Sequence, residues 1–562
     1  MIRTFFIGLT VFLFCSNAVF GYKNTLPNNK FGIHLAQPQS EDIAKAAKLV
    51  NSQGGKWGYI TLVMQEDDRD AGKWQEIFNK LRELKLIPIV RLATKPEGAN
   101  WRRPEEKDAD AWVIFLNSLN WVVENRYVVL FNEPNHASEW GGTVDAIDYA
   151  KVSKTLAQKL KKSNSDYVLM LGGLDASAPS NKPLYEDEAV FLTQIVTEIT
   201  ARDFNQLFDG LASHSYPNPG FLGSPWGSGR GSVRTYQWEL ELLRLLGVKE
   251  LPVFISETGW NGRAIARELV ADNFQAAFTN IWLPDDRVAA VTPFILNYQS
   301  EPFLQFSWLQ PGGEGVYPEY ERVEGMSKLA GNPIIREKGS IAFDLPHELV
   351  AESSYHLFFR LANVGQAIWS HDDGYRVALE GIDESNSLVS YLPTIKPLQQ
   401  QESDFFFQTS TKTGSKKVKF ILYKDDQPII ESRQWQFQVV PLPALQIQTK
   451  LFPKIKSTGD NFQIQIYNNK EELIYQEENV VLKNGRGILP SVRNVALNQS
   501  YRVVLLKEKY LPTQIFISFQ KGENIAKFRA MLPFDLDGDG TFKLADLAYL
   551  LKNLSLLSLF LP

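Results

Sequence analysis

Cysteine is almost missing from this chain. Cys15 is the only one in 562 residues, so no disulfide can staple the fold. Charge of one sign is also missing: 59 Lys and Arg face 64 Asp and Glu, for a net charge of −5, and no basic run offers a nucleic-acid surface. The apolar run Phe5–Phe14 is shorter than the ~20 residues a bilayer-spanning helix needs, and so is the apolar tail Leu554–Pro562. What remains is globular in composition, 44% hydrophobic and 22% charged. A chain this long exceeds one ordinary domain and is expected to form three or four.

Residues 1–21 have the anatomy of a secretory signal peptide: Arg3, an apolar run, then the small-x-small Ser16-Asn17-Ala18. The expectation is therefore a secreted, extracellular or cell-surface protein with no membrane span in the mature chain. Cys15 would leave with the leader. A secreted multidomain chain without disulfides points to a bacterial source. Cys15 itself is a poor lipidation site, because Phe14 stands where a small residue is required.

From residue 30 to 332 strand and helix patterns alternate. Apolar strand runs fall at Phe31–Leu35, Gly58–Met64, Ile87–Leu92, Tyr127–Asn132, Tyr167–Gly172, Leu207–His214, Val253–Glu257 and Ala290–Asn297. Between them lie amphipathic stretches. Trp74, Ile77, Phe78, Leu81 and Leu84 share one helical face, and Trp112–Val122, Val144–Leu160, Val190–Ile199 and Tyr236–Leu246 read the same way. Ser40 with Glu41-Asp42 marks a helix start, and Gly54-Gly55 its stop. Eight such units predict a (β/α)8 TIM barrel. An open doubly wound sheet is the alternative, but the first strand, Phe31-Gly32-Ile33-His34-Leu35-Ala36-Gln37, carries no glycine-rich phosphate loop.

Two strands end in a carboxylate. Tyr127-Val128-Val129-Leu130-Phe131 runs into Asn132-Glu133-Pro134, and Pro252-Val253-Phe254-Ile255-Ser256 into Glu257-Thr258-Gly259-Trp260. Pro134 cannot donate to a ladder, so it ends its strand. Two glutamates at two strand ends suggest a pair across one pocket. Glycosidic bond cleavage uses such a pair, one protonated and one ionised. A pair about 5–5.5 Å apart cannot comfortably hold both charges, so one carboxyl keeps a proton near neutral pH. Asn132 is suited to a sugar hydroxyl. Arg91, after the third strand, could pair with Glu257 and keep it ionised. Gln65-Glu66-Asp67-Asp68 reads equally as cleft wall or solvated loop. Aromatic residues, 12% of the chain with 13 Trp, suit sugar clefts and barrel cores alike.

Beyond about Gly331 the pattern turns to short alternating runs, Tyr355–Leu361, Tyr375–Leu379, Val418–Tyr423 and Trp435–Val440, which predict a β-sandwich over residues 335–440. Pro441-Leu442-Pro443 reads as a linker. A second β module is expected over residues 445–531, with strands near Asn461–Tyr467, Tyr501–Leu506 and Thr513–Phe519. In the tail, residues 533–562, the loop Asp535 to Asp546 has EF-hand spacing. Asp535, Asp537 and Asp539 supply oxygens, Gly540 turns the chain, the Thr541 carbonyl adds a ligand, and Asp546 takes the twelfth position in place of the usual Glu. Structural Ca²⁺ is the expected ion, and a helix from Leu547 to about Leu554 should follow.

The Asn-Glu-Pro and Glu-Thr-Gly-Trp strand ends, three βα units apart, resemble the fourth and seventh strands of clan A glycoside hydrolases, the superfamily of family 5 cellulases and mannanases. The resemblance covers residues 30–332. It implies Glu133 as general acid/base, Glu257 as nucleophile, and retaining hydrolysis of β-linked poly- or oligosaccharides with no cofactor for the chemistry. His214-Ser215-Tyr216 resembles the family's His-x-Tyr, which implies that Tyr216 contacts the nucleophile and His214 lines the cleft. For the ring beneath the bound sugar it suggests Trp308, with Trp260 or Tyr298 as alternatives. Asn363-Val364-Gly365-Gln366-Ala367-Ile368-Trp369 resembles an immunoglobulin-like signature with Trp369 in the core. The tail resembles half of a dockerin, which implies a cohesin-type or cell-surface partner; a dockerin carries two such loops and this tail one. The reading from another class is a non-catalytic glycan-binding surface or scaffold protein.

Overall fold

The computed structural model describes residues 27–381, 389–390, 392–454 and 458–560. The expected leader, residues 1–21, lies outside them. Two compact units emerge: the chain up to Arg336 with Gly365–Ile368, and Glu337–Val364 with everything from Trp369.

In the first unit β1 (Gly32–Leu35), β2 (Gly58–Gln65), β3 (Leu86–Ala93), β4 (Arg126–Leu130) and β5 (Tyr167–Leu171) form one parallel sheet in chain order. A second parallel sheet holds β6 (Leu211–His214), β7 (Val253–Glu257) and β8 (Val288–Val291). Single parallel bridges join the sheets at both edges, Phe31 with Val291 and Asp175 with His214. Asp209 strengthens the second seam: its N–H donates to the Leu169 carbonyl at 2.9 Å, and its carboxylate accepts from the Leu169 N–H at 3.0 Å. These bridges bring the edges of the two sheets together at both seams. Every residue of β5, β7 and β8 is buried, as continuous apolar runs demand.

Helices fill the connections: α1 (Ser40–Val50), α2 (Ala71–Glu83), α3 (Ala109–Ser118), α4 (Ala146–Ser163), α5 (Glu188–Ile199), α6 (Ala201–Leu207), α7 (Thr235–Leu245), α8 (Arg267–Ala277) and α9 (Pro318–Glu324). α2 shows the local logic. Asp70 caps it, accepting from the N–H groups of Gly72 at 2.8 Å and Lys73 at 3.1 Å. Trp74, Phe78 and Leu81 are fully buried on one face, with Ile77 and Leu84 packed at its margin. Each such side chain contributes roughly 1.5–3 kcal/mol by leaving water.

Several boundaries differ from expectation, most plainly at three places. Leu207 closes α6 rather than opening β6, because a second short helix occupies that crossover. β8 stops at Val291, well before Asn297; Pro293 cannot donate to a ladder. α3 ends at Ser118 rather than Val122.

The second unit is β-rich. Gly339–Phe343, Ser354–Asn363 and Gln400–Gln408 make one antiparallel sheet, which faces a second built around Gly414–Lys424. Phe359 and Phe420 stack between them with ring centres 4.8 Å apart, and Trp369 is fully buried. A second module follows with Gly459–Tyr467, Ser500–Lys507 and Lys509–Ser518 side by side, over a core of Phe462, Ile464 and Val503. The tail helix runs Leu544–Lys552, starting three residues before expectation.

Candidate functional site

Parallel strands deliver their carboxyl ends to one side, and there the polar side chains gather. β4 leaves its ladder after Leu130. Phe131 (φ +69°) and Glu133 (φ +29°) both sit in the left-handed region, which costs roughly 1–3 kcal/mol per non-glycine residue. The turn is tied by the Glu133 N–H to the Gly173 carbonyl at 3.1 Å. β7 ends on Glu257, β6 on His214, and β3 supplies Arg91.

A carboxylate oxygen of Glu133, one of Glu257 and a ring nitrogen of His214 all lie within 4.8 Å of one another. His214 Nδ1 is 2.8 Å from Glu133 Oε1 and 3.9 Å from Glu257 Oε2. Tyr216 Oη donates to Glu257 Oε2 at 3.0 Å. Arg91 Nη1 donates to the Glu257 carboxylate and, at 2.7 Å, to Asn132 Oδ1. His34, inside β1, places its Nε2 3.9 Å from Glu257 Oε1.

These contacts sort the charges. Burial alone would push the Glu257 carboxyl up, but His214, Arg91 and His34 together hold it down at about 2, so it stays ionised. Burial and then the Arg91 charge lower His34 to about 3, which leaves that imidazole neutral. Burial disfavours a charged His214, yet the Glu257 and Glu133 carboxylates outweigh it and raise its proton affinity. Burial, with both glutamates, drives the Tyr216 phenol well above its ordinary value, so it remains a donor.

The site opens into a cleft of about 320 Å³. Arg91, Asn132, Glu133, Tyr216 and Glu257 line it; His214, expected to line the cleft, is buried instead. Trp260 and Trp308 do not. Both are core residues, packed on Phe274 at 4.9 Å, and Trp260 Nε1 donates to the Gly223 carbonyl. The aromatic wall is instead Trp101, Phe221, Phe294, Phe303 and Phe306. Tyr298 packs on Phe303. Residues 65–68 stay off the cleft; Glu66 is held by Arg102, which also binds Asp108 at 2.7 Å. Sequence reasoning missed His34, Phe294 and Glu139. Phe294 follows β8 by three residues, and Glu139 lies six residues past Glu133 in one loop; those positions were the available signals.

In the tail, carboxylate oxygens of Asp535, Asp537 and Asp539 lie within 4.8 Å of one another. Asp535 is buried, and its Oδ1 has no hydrogen-bond partner. Burial pushes its carboxyl up, and the charges of Asp546 and Asp537 add to that. Thr541 donates through N–H and hydroxyl to Asp539 Oδ1 at 2.9 and 2.7 Å. Asp546 plays a different part from an open twelfth ligand. Its Oδ1 accepts from the N–H groups of Leu536 and Asp537, and its Oδ2 from that of Lys543, which ties the loop's two ends together.

No protein-family model matches the sequence, and no curated protein matches it. Solved structures share its backbone course more loosely. A family 39 glycoside hydrolase from the gut symbiont Bacteroides cellulosilyticus WH2 is 14% identical with a TM-score of 0.38, over 66% of this chain and 80% of that one. The catalytic domain of a mannanase from Streptomyces sp. SirexAA-E is 15% identical with a TM-score of 0.34, over 53% and 84%. A cohesin–X–dockerin complex from Acetivibrio cellulolyticus, a C-terminal interface mutant, is 18% identical with a TM-score of 0.15, over 20% and 72%.

Proposed function

We propose that the first unit is a (β/α)8 barrel of clan A type and a secreted retaining glycoside hydrolase acting on β-linked glycans. One observation carries this reading: Glu133 and Glu257 bring carboxylate oxygens within 4.8 Å of each other over an open cleft. That closeness suits a double-displacement pair, whose carboxyls stand about 5–5.5 Å apart, better than an inverting pair, whose carboxyls stand about 6.5–9.5 Å apart.

Glu257, held ionised by Arg91 and aimed by Tyr216, attacks the anomeric carbon. Glu133, protonated, delivers its proton to the departing glycosidic oxygen. The covalent glycosyl–Glu257 ester is then opened by water, whose proton returns to Glu133, and Glu257 leaves as carboxylate. Asn132 binds the sugar 2-hydroxyl, a contact that strengthens as the ring flattens. Phe294, Phe303 and Phe306 offer apolar faces to the sugar in place of a tryptophan.

The β modules are read as accessory modules, the first immunoglobulin-like, and the tail as a structural Ca²⁺ site of dockerin type. Asp535 fits that ion best, since a buried carboxylate oxygen without a donor calls for a cation. Asp537, Asp539 and the Thr541 carbonyl would complete the oxygen set, with Asp546 holding the loop closed. A cohesin-type or cell-surface partner through this module belongs to the same proposal.

Hydrolysis of a panel of β-glucans, β-mannans and β-xylans by the wild-type chain and Glu257→Gln tests the reading. A fall of several orders of magnitude in the variant is expected. Equal rates, or an inert wild type, would overturn it.

A further inference from the structure

The cleft wall beside Glu133 is polar, and two loops build it. His136 lies three residues past Glu133, in a tight turn where its N–H donates to the Glu133 carbonyl at 2.9 Å. Asp175 lies four residues past the end of β5. The two side chains meet, with His136 Nε2 standing 2.8 Å from Asp175 Oδ2. Both line the same cavity as Glu133, Tyr216 and Glu257. Neither has a part in the double displacement.

Backbone contacts hold the pair still. The Ser177 N–H donates to Asp175 Oδ1 at 2.8 Å. The Asp175 N–H donates to Asn135 Oδ1 at 3.1 Å, and the Asn135 amide donates to the Asp175 carbonyl at 3.0 Å. Asn135 itself is fully buried. The imidazole stands edge-on to Tyr185, with ring centres 4.9 Å apart. The pair is still reachable from the cleft: the His136 and Asp175 side chains are 22% and 27% exposed. With Nε2 committed to Asp175, the ring has Nδ1 left to offer.

A side chain clamped this firmly beside a reacting pair, yet outside the chemistry, suits recognition. Its place in the cleft decides what it recognises. A general acid protonates the oxygen of the departing sugar, so groups just beyond Glu133 face that sugar rather than the one Glu257 attacks. We propose, resting on the hydrolase reading above, that His136 and Asp175 form the subsite for the leaving-group sugar. Asp175 fixes the imidazole, and His136 Nδ1 hydrogen-bonds a hydroxyl of that sugar. A hydroxyl both donates and accepts, so the contact survives either protonation state of the ring. Burial disfavours a charged His136, but its bond to Asp175 and the Glu133 and Asp175 charges outweigh that and raise its proton affinity. A charged ring makes the stronger donor.

Two measurements on the full chain test this. The first compares two substrates: the tetrasaccharide of the panel polymer the wild type cuts best, and the dinitrophenyl glycoside of the matching disaccharide. The aryl group carries no hydroxyl for His136 to hold. The kcat/KM of His136→Ala should fall about tenfold further on the tetrasaccharide than on the aryl glycoside. Asp175→Asn should show the same preference at a smaller ratio. Equal falls on both substrates, as a merely structural role would give, or no fall on either, overturn the proposal. The second measurement needs no turnover: NMR of the histidine ring signals in Glu257→Gln, with the His136 signal identified by its loss when His136→Ala is added. Cellotetraose, mannotetraose and xylotetraose are titrated in turn. The His136 signal should move and saturate with one of them. No movement with any overturns the proposal even in an active enzyme. An inert wild type with a saturating shift refutes the hydrolase reading and the leaving-group assignment, and leaves a sugar site at His136 standing.

Discussion

Tyr216 Oη donates to Glu257 Oε2 at 3.0 Å, so the phenol aims the carboxylate and shares its charge. Both groups are buried, and a hydrogen bond to a charged acceptor in such a place is worth roughly 1.5–3 kcal/mol. Tyr216→Phe should lower kcat/KM at neutral pH by about tenfold to a hundredfold. Its acid limb should also move upward, because Glu257 without this donor takes up a proton more readily. A pH profile beside the wild type's checks both outcomes.

The same carboxylate makes stability depend on pH. Glu257 falls from an ordinary 4.5 to about 2 in the folded chain. A depressed carboxyl stabilises the fold above its unfolded value and loses that contribution as pH drops through the folded one. The contribution is roughly 3 kcal/mol at neutral pH. Wild type should thus melt above Glu257→Gln at pH 7, and the gap should narrow between about pH 4.5 and 2. Melting curves of the two across that window measure it.

Gly173 sits where no side chain fits. A Cβ there would meet His214 Cδ2 at 2.3 Å and Nε2 at 2.6 Å. Gly173→Ala must push the imidazole off Glu133, at a cost of about 1–3 kcal/mol for an overpacked site. A fall of a few degrees in Tm with a far larger loss of activity is expected. Thermal melts and initial rates on one preparation decide it.

Calcium should raise the melting temperature of the wild-type chain by mass action, and a chelator should reverse the gain. Asp535→Asn keeps the shape of the loop but removes the buried charge, so its Tm should be insensitive to both. Calorimetry with and without Ca²⁺ reads this directly.

Phe294→Ala should raise KM, since the ring lines the cleft. Trp308→Phe should instead lower Tm with little change in KM, because that indole packs on Phe274 in the core. Kinetics and melts on the pair separate the two roles.

Local order was legible in the chain itself. An unbroken apolar run reads as a doubly buried strand, and a proline reads as a stop. Each signal acts over a few residues, so Glu133, Glu257 and Arg91 could be picked out on the strands, while His214 and Tyr216 were suggested by the likeness of His214-Ser215-Tyr216 to a family motif. Their meeting in one cleft follows from parallel strands presenting their carboxyl ends on one side. The orientation of large rings was not legible. Trp260 and Phe294 carry hydrophobic side chains just past strand ends, with Trp308 farther along the loop after β8, and the packing of α8 around Phe274 turns the two indoles inward. Glu139 was hidden for a related reason: its cleft position depends on Trp140 anchoring a turn against Phe131 and Tyr149. Asp546 looked like a ligand by spacing; what the spacing did not show is that its carboxylate accepts from the backbone amides of Leu536, Asp537 and Lys543. Short-range pattern settled which residues end the strands; contacts between residues distant in sequence settled which of them face the cleft.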